Sequence, residues 1–223
     1  TALGKRALCL GGAKNHMIVV PDADQDSTAK GLLASSMGSA GQRCMAASVA
    51  IGVADIDHII DQLVEEAKEF KLGVDMGTII SKTALDRITN YIDDAEKMGA
   101  RILIDGRNKT PPSGYENGYW LGVTILDGVD PNWPCAKEEI FGPVLSIIRT
   151  DTLENAMKIE NENHYGNAAA VFTTSGEIAK MISESASAGM VGINIGVPVP
   201  REPYSFGGWN ESKYAPGDIT GKG

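Results

Sequence analysis

Cysteine is scarce in this chain. Cys9, Cys44 and Cys135 are the only three among 223 residues, and they are widely separated. An odd number without paired spacing argues against a disulfide framework and suits a reducing compartment. The sequence also lacks an apolar run long enough to span a bilayer, and we expect no signal peptide at its start. These absences predict a cytoplasmic location.

Positive charge is also in deficit. Lysine and arginine number 20 against 29 aspartates and glutamates, which gives a formal net charge of -9. This balance argues against binding to nucleic acid or to an anionic membrane surface. The three histidines, His16, His58 and His164, form no paired ligand set, so we expect no metal site.

Apolar residues recur in two alternating patterns. Short apolar runs predict strands near 7–10, 17–20, 48–53, 120–125, 144–148, 168–173 and 190–195. Helical spacing and capping residues predict helices near 24–37, 57–70, 85–98, 153–160 and 177–185. The apolar stripe of the third helix, from Leu85 to Met98, is expected to face the core. Strands separated by helices indicate an α/β domain with a layered, mostly parallel sheet flanked by helices.

The segment Gly41-Gln42-Arg43-Cys44 carries the clearest chemical signal. A thiol acts as a nucleophile in its thiolate form, which a neighbouring cation favours. The alternative is that Cys44 is a small buried hydrophobic residue. Two other segments favour the nucleophile, one from Leu10 to Asn15 and one from Lys137 to Val144. In this order and at these spacings, the three segments resemble the catalytic half of the aldehyde dehydrogenase superfamily.

The resemblance covers nearly the whole chain and implies the fold of that catalytic domain. Members of the superfamily are longer and carry a Rossmann-type NAD domain before the cysteine domain. No G-x-G-x-x-G motif precedes Leu10. We therefore expect residues 1–223 to be one cysteine-bearing catalytic domain, with the NAD-binding domain outside this chain. The resemblance also implies a homo-oligomer, a dimer or tetramer, in which a strand following residues 221–223 pairs with a neighbouring subunit.

Glu139 and Phe141 match the superfamily's E-x-F-G-P motif. The resemblance implies that Glu139 accepts hydrogen bonds from the nicotinamide ribose of NAD, and that Phe141 packs near the nicotinamide. A carboxylate with two oxygen atoms suits two hydroxyl groups. The alternative is a glutamate that caps a turn before Gly142. By the same resemblance, the backbone of Gly11 contacts the nicotinamide amide.

Leu10 departs from the superfamily's pattern. Hydrolytic members have Glu-Leu-Gly-Gly-Lys, whose glutamate activates water to cleave the thioester left on the cysteine after hydride transfer. Leu10 stands at the position of that glutamate and cannot take a proton. Loss of a general base slows such a step by roughly 10²–10⁴-fold. Coenzyme A needs no such base because a thiol is far more acidic than water, so Leu10 points to a CoA-acylating enzyme.

Among acylating members, the chain resembles the methylmalonate-semialdehyde dehydrogenases. The segments that carry this likeness are Gly11 to His16, Gly41 to Ala46, and the stretch from Val197 to Gly208 with its Pro-Val-Pro. That family converts methylmalonate or malonate semialdehyde to propionyl-CoA or acetyl-CoA with release of carbon dioxide. Arg43 suits such a substrate because a guanidinium can bind its carboxylate through paired hydrogen bonds. The alternative for Arg43 is a surface or scaffold contact.

Three rival functions stay open at this point. A hydrolytic aldehyde dehydrogenase could recruit another base. A catalytically silent domain could keep the fold for assembly alone. A cysteine hydrolase would need a histidine base, and the sequence pairs none with Cys44.

Overall fold

The computed structural model describes residues 4–5, 7–196, 198–200 and 204–215. Its strands are β1 (Cys9–Leu10), β2 (Asn15–Val19), β3 (Ala47–Val53), β4 (Arg101–Ile104), β5 (Thr124–Asp127), β6 (Val144–Thr150), β7 (Tyr165–Gly166), β8 (Ala168–Phe172), β9 (Met190–Ile193), β10 (Trp209–Asn210) and β11 (Lys213–Tyr214). Its α-helices are α1 (Gln25–Met37), α2 (Asp57–Lys68), α3 (Lys82–Met98), α4 (Pro134–Lys137), α5 (Leu153–Asn161) and α6 (Gly176–Ser185). A 3-10 turn, Gly38–Gly41, continues α1.

A seven-stranded sheet forms the centre of the molecule, in the order β4-β5-β6-β3-β2-β8-β9. Every neighbouring pair is parallel except β4 and β5, which are antiparallel. The central strands β2 and β8 are buried along their whole length, as expected where helices cover both faces of a parallel sheet. The α/β class and the mostly parallel sheet predicted from the sequence are confirmed.

Capping residues mark helix ends in α1 and α3. The Asp24 carboxylate accepts a hydrogen bond from Ser27 N at the start of α1, and the Ser81 hydroxyl accepts one from Ala84 N at the start of α3. Gly99 closes α3 with a φ of 109°, a left-handed conformation that glycine adopts without strain. Helices α2 and α3 each bury an apolar face in the core, through Ile59 and Leu63 on α2 and through Ile88 and Ile92 on α3.

Several details differ from the sequence prediction, and three of them concern α3, β4 and β5. Met98 is 47 % exposed, because the last turn of α3 extends past the core. The strand expected from 120 starts only at Thr124, since Gly118 to Val123 form a connecting segment outside the strands. Strand β4 was not predicted, because a run of four residues that begins with an exposed arginine is too short to show a clear strand period.

Two small antiparallel pairs lie outside the main sheet. Strand β1 pairs with β11, and β7 pairs with β10. The predicted loop from Val197 to Ser212 therefore contains β10, while residues 197 and 201–203 lie outside the described residues. The same holds for residues 221–223, where the sequence predicted a link to a neighbouring subunit. No helix in the described part of the chain has the length and apolarity needed to cross a membrane.

Candidate active site

The three motif segments meet at the edge of the sheet where its parallel strands begin. The segment from Leu10 to Lys14 leads into β2, Cys44 precedes β3, and the segment from Glu139 to Pro143 leads into β6. These strands are neighbours in the order β6-β3-β2. Because parallel strands start at the same edge, segments far apart in sequence come together there.

Cys44 lies exposed in a turn between the 3-10 segment and β3. The N–H of Ala46 donates to the Arg43 oxygen at 3.1 Å and closes this turn. The exposed thiol is therefore held on a short, hydrogen-bonded segment. The alternative of a buried apolar cysteine does not apply to Cys44, whereas Cys135 is buried with 2 % exposure.

Two side-chain amides support the Cys44 turn from below. Asn15 Nδ2 donates to the main-chain oxygens of Cys44 at 3.0 Å and Ala46 at 2.9 Å. Asn167 Nδ2 also donates to the Cys44 oxygen at 3.0 Å. The Asn15 oxygen in turn accepts from the N–H of Ala168 at 3.1 Å, which links the turn to β8. The amide of Asn15 thus connects the Cys44 turn to β2 and β8.

The cysteine segment and the E-x-F-G-P segment are in direct contact. A Cβ atom on Gly41 would collide with the main-chain oxygen of Gly142, and Gly41 has a φ of 68°. Glycine at this position therefore permits both the close approach and the backbone conformation. Phe141, next to Gly142, has a φ of 56°, which is uncommon for a residue with a side chain and marks a constrained conformation.

Gln42 fixes a further segment beside this junction. Its Nε2 donates to the oxygen of Thr78 at 3.0 Å, and its Oε1 accepts from the N–H of Ile80 at 2.9 Å. A groove lined by Gln42, Ile80, Tyr119 and Phe141 runs along the contact. Phe141 is 38 % exposed, so its ring remains available to a ligand at this surface.

Glu139 is half-buried on the other side of the junction. Its Oε1 accepts a hydrogen bond from the N–H of Ala13 at 3.3 Å. Burial raises the pKa of the carboxyl, while the Ala13 N–H and the cations of Lys14 and Arg87 act in the opposite direction. The carboxylate therefore lies beside the glycine-rich segment that precedes β2.

Leu10 and Gly11 lie beside β11 and the turn that precedes it. Leu10 is 54 % exposed and pairs across the strands with Lys213. The N–H of Gly11 donates to the Ser212 oxygen at 3.0 Å, and a Cβ on Gly11 would collide with the oxygen of Glu211. Because its N–H is already used, Gly11 could meet a ligand through its carbonyl oxygen only.

Arg43 turns toward the end of α1. Its Nη2 donates to the oxygens of Ala34 at 2.8 Å and Ser35 at 3.1 Å. Such contacts satisfy carbonyl groups that a helix C-terminus leaves free. They correspond to the scaffold contact that the sequence left open as the alternative, and within the described residues Arg43 makes no ion pair.

The family model for the "Aldehyde dehydrogenase family" matches residues 1–221. The chain belongs to the aldehyde dehydrogenase family. It is 42 % identical over 231 residues to a malonate-semialdehyde dehydrogenase of Pseudomonas aeruginosa, covering 100 % of this chain and 46 % of that protein. It is 45 % identical over 225 residues to the mitochondrial acylating methylmalonate-semialdehyde/malonate-semialdehyde dehydrogenase of Bos taurus, covering 98 % of this chain and 42 % of that protein.

A solved structure shares the fold of this aldehyde dehydrogenase chain. It comes from Sinorhizobium meliloti 1021, is provisionally named a methylmalonate-semialdehyde dehydrogenase, and was solved in complex with NAD. The TM-score is 0.93 at 42 % identity, with 96 % of this chain and 45 % of that chain covered. The chain thus spans less than half the length of the relatives it matches.

Several residues of this aldehyde dehydrogenase site were missed by sequence reasoning. Asn167 and Ser212 hold the site segments and do not stand out in the sequence by composition or spacing. Gln42 lies in the cysteine motif, but the sequence assigned it no role. Asn15, in the segment that leads into β2, holds the cysteine segment through two hydrogen bonds. Within the described residues, no group of three or more potential ligands could hold a metal ion.

Proposed function

We propose that this chain is the cysteine-bearing catalytic domain of an NAD-dependent, CoA-acylating methylmalonate- or malonate-semialdehyde dehydrogenase. The observation that carries the proposal is an exposed Cys44 on an anchored turn, with a leucine at the family's position for the hydrolytic base. The names of the relatives support the same substrate class. Residues 1–223 form one domain in this proposal, and the NAD-binding domain and the oligomer contacts belong to the longer protein.

Cys44 is the nucleophile in this proposal. Its thiolate attacks the aldehyde carbon and forms a hemithioacetal, whose oxygen carries the developing negative charge. A backbone N–H of the Cys44 turn is the donor that this chain offers to that oxygen. The hydrogen bonds from Asn15 and Asn167 restrict the turn, so the thiol and the donor keep one relative geometry.

Glu139, Phe141 and Gly11 hold the nicotinamide end of NAD in this proposal. Their geometry fits that group. Only Oε1 of Glu139 accepts a hydrogen bond from a described residue, which leaves Oε2 for ribose hydroxyls. The exposed ring of Phe141 offers an apolar surface. When bound, NAD supplies the acceptor for the hydride that leaves a thioester on Cys44.

Coenzyme A completes the reaction as co-substrate. Its thiolate attacks the thioester carbon, and Cys44 leaves as a thiolate ready for another cycle. Leu10 supplies no carboxylate for the competing attack by water, so hydrolysis lacks a general base at this position. The exposed position of Leu10 beside Lys213 supports access of an acyl acceptor to this side of the site.

Arg43 is the residue of this chain that we propose for the substrate carboxylate. Its Nη2 is committed to the end of α1. A carboxylate would therefore meet Nη1, and the anchored Nη2 would fix the orientation of the guanidinium. This arrangement replaces the bidentate clamp expected from the sequence with a single hydrogen bond plus charge attraction.

The acylating assignment is tested by transient kinetics on the protein that contains this chain. Mixing with semialdehyde and NAD should give a burst of NADH, followed by slow turnover that coenzyme A accelerates. Fast turnover that is indifferent to coenzyme A would favour the hydrolytic rival. Absence of any burst, with iodoacetamide labelling Cys44 no faster than the exposed Cys9, would favour a silent domain.

A further inference from the structure

Lys14 is a buried lysine immediately before β2. It is 3 % exposed, and its Nζ has no hydrogen-bond partner among the described residues. A buried ammonium group without a partner is costly, so its retention calls for a physical reason. The neighbouring Asn15 donates a hydrogen bond to the Cys44 oxygen, and the Lys14 side chain takes no part in that contact.

The surroundings of Lys14 are dominated by groups of negative or potentially negative charge. Cys135, Glu139 and Glu138 all interact electrostatically with its amine, and His16 on β2 is buried and held neutral. Burial lowers the pKa of Lys14 to about 7, while these three groups act to raise it. The ammonium form therefore depends on the negative charge of its neighbours.

Glu139 stands in the reciprocal position. Burial disfavours its ionised form, and the cation of Lys14 is one of three influences that favour it. The other two are the Ala13 N–H, one residue before Lys14, and Arg87, whose Nη1 donates to the main-chain oxygen of Glu139 at 3.2 Å. One short segment, Ala13 to Lys14, thus contributes both a hydrogen bond and a charge to the same carboxylate.

We propose that Lys14 is a positioning residue that keeps the Glu139 carboxylate ionised and free to accept hydrogen bonds from the ribose hydroxyls of NAD. The proposal rests on the cofactor role of Glu139 stated above. A lysine in a direct salt bridge would occupy a carboxylate oxygen and compete with the hydroxyls. A buried lysine that acts through its charge alone leaves those lone pairs available.

The first test measures the Glu139 carboxyl directly. The side-chain carboxyl signals of ¹³C-glutamate-labelled protein are followed through an acid titration, with E139Q assigning the resonance. In Lys14→Met, which keeps an unbranched side chain of similar length in the buried site, the Glu139 pKa should rise by about one unit relative to wild type. E138Q is the matched control, because it removes a second carboxylate that interacts with the Lys14 amine and leaves Glu139 in place. An unchanged Glu139 titration in a folded Lys14→Met protein would overturn the proposal.

The second test is a double-mutant cycle on NAD binding, measured by calorimetry with the complete protein. Lys14→Met should weaken NAD binding at acidic pH, by up to the about tenfold that a one-unit rise in the Glu139 pKa allows, and the difference from wild type should disappear at a pH where Glu139 is ionised in both proteins. In the E139Q background, Lys14→Met should have no further effect. A persistent effect in that background contradicts the positioning role.

The same cycle separates this inference from the proposed function. If E139Q alone leaves NAD binding unchanged, the cofactor role of Glu139 is wrong, whatever Lys14 does. If E139Q weakens binding and Lys14→Met does not, only the inference about Lys14 is wrong. Lys14→Gln supplies a second neutral variant should Lys14→Met fail to fold, and Lys14→Arg should restore part of the affinity because it restores the charge.

Discussion

The side-chain amide of Asn15 donates a hydrogen bond to the main-chain oxygen of Cys44 at 3.0 Å. Asn15 is 1 % exposed and lies on a central strand, whereas Cys44 is exposed in a turn. The contact therefore connects a fully buried central strand to the segment that carries the candidate nucleophile. It explains how a turn at the surface can hold a reacting atom in one position.

Replacing Asn15 by alanine should loosen this turn. The oxygens of Cys44 and Ala46 lose a donor, and the N–H of Ala168 loses its acceptor. The Cys44 oxygen keeps its hydrogen bond from Asn167, so two groups are left unsatisfied at about 1–3 kcal/mol each, and we expect a loss of roughly 2–6 kcal/mol in urea unfolding. The burst amplitude of NADH should fall as well. Asn155→Ala, at an exposed position on α5, is the control and should change neither quantity.

Replacing Arg43 by leucine should distinguish a role in substrate binding from a role in anchoring the end of α1. We expect the KM for methylmalonate semialdehyde to rise about tenfold or more, and that for propanal to change little, because only the first substrate carries a carboxylate. Arg43→Lys keeps the charge and should recover part of the discrimination. Equal losses for both aldehydes would mean that Arg43 acts only as an anchor for the carbonyls of Ala34 and Ser35.

The class of fold could be predicted from the sequence because strand and helix periodicity are local signals. The residues at the two ends of α3, Ser81 and Gly99, are also residue types that mark helix ends in a sequence. The order β6-β3-β2-β8 could not be predicted in this way, since pairing between distant strands leaves no local trace. That order brings Asn167 beneath Cys44, which is why Asn167 was missed.

The direction in which the Arg43 side chain points could not be predicted from the sequence either. Arg43 next to Cys44 suggested a cation beside the thiol, yet its Nη2 contacts the end of α1. The space for this path comes from Gly38, where a Cβ would lie 2.7 Å from the guanidinium carbon. Adjacency in sequence fixes the backbone distance only, and the rotamer is set by packing.

Replacing Leu10 by glutamate should increase turnover that does not require coenzyme A. A carboxylate at this position can act as a general base for water if it faces the thioester. Leu10 pairs across the strands with Lys213, whose ammonium group would lower the basicity of a glutamate. We therefore expect a larger gain when Leu10→Glu is combined with Lys213→Met. Leu10→Gln is the control, and a gain of equal size there would exclude base catalysis as the cause.

Glu160 should make the unfolding free energy depend on pH. It is 3 % exposed and accepts a hydrogen bond from the N–H of Ser187 at 3.1 Å. Burial raises its pKa from 4.5 to about 7. Between these pH values the folded state binds the proton more tightly than the unfolded state, so the stability contributed by protonation is lost as the pH rises through 7.

Glu160→Gln removes this titration and keeps an oxygen for the Ser187 N–H. We expect it to stabilise the protein by about 1–3 kcal/mol at pH 8 and to have little effect at pH 5, as measured by urea unfolding. Glu162→Gln, at an exposed position beside the end of α5, should show no such difference between the two pH values. A gain of the same size at both pH values would show that hydrogen bonding, and not ionisation, is responsible.

Gly41→Ala should disturb the cysteine segment and the cofactor segment together. The added methyl group would collide with the Gly142 oxygen, and a φ of 68° is unfavourable for alanine. Because the clash is with main-chain atoms and not with a flexible side chain, we expect a loss of at least about 2 kcal/mol in stability, together with lower NAD affinity and slower labelling of Cys44. Gly77→Ala is the matched control, since a Cβ there meets no atom within 4 Å and the φ of Gly77 is not positive. If Gly41→Ala slowed Cys44 labelling but left NAD affinity intact, the two motifs would act independently, and their contact through Gly41 and Gly142 would have no part in coupling the thiol to the cofactor.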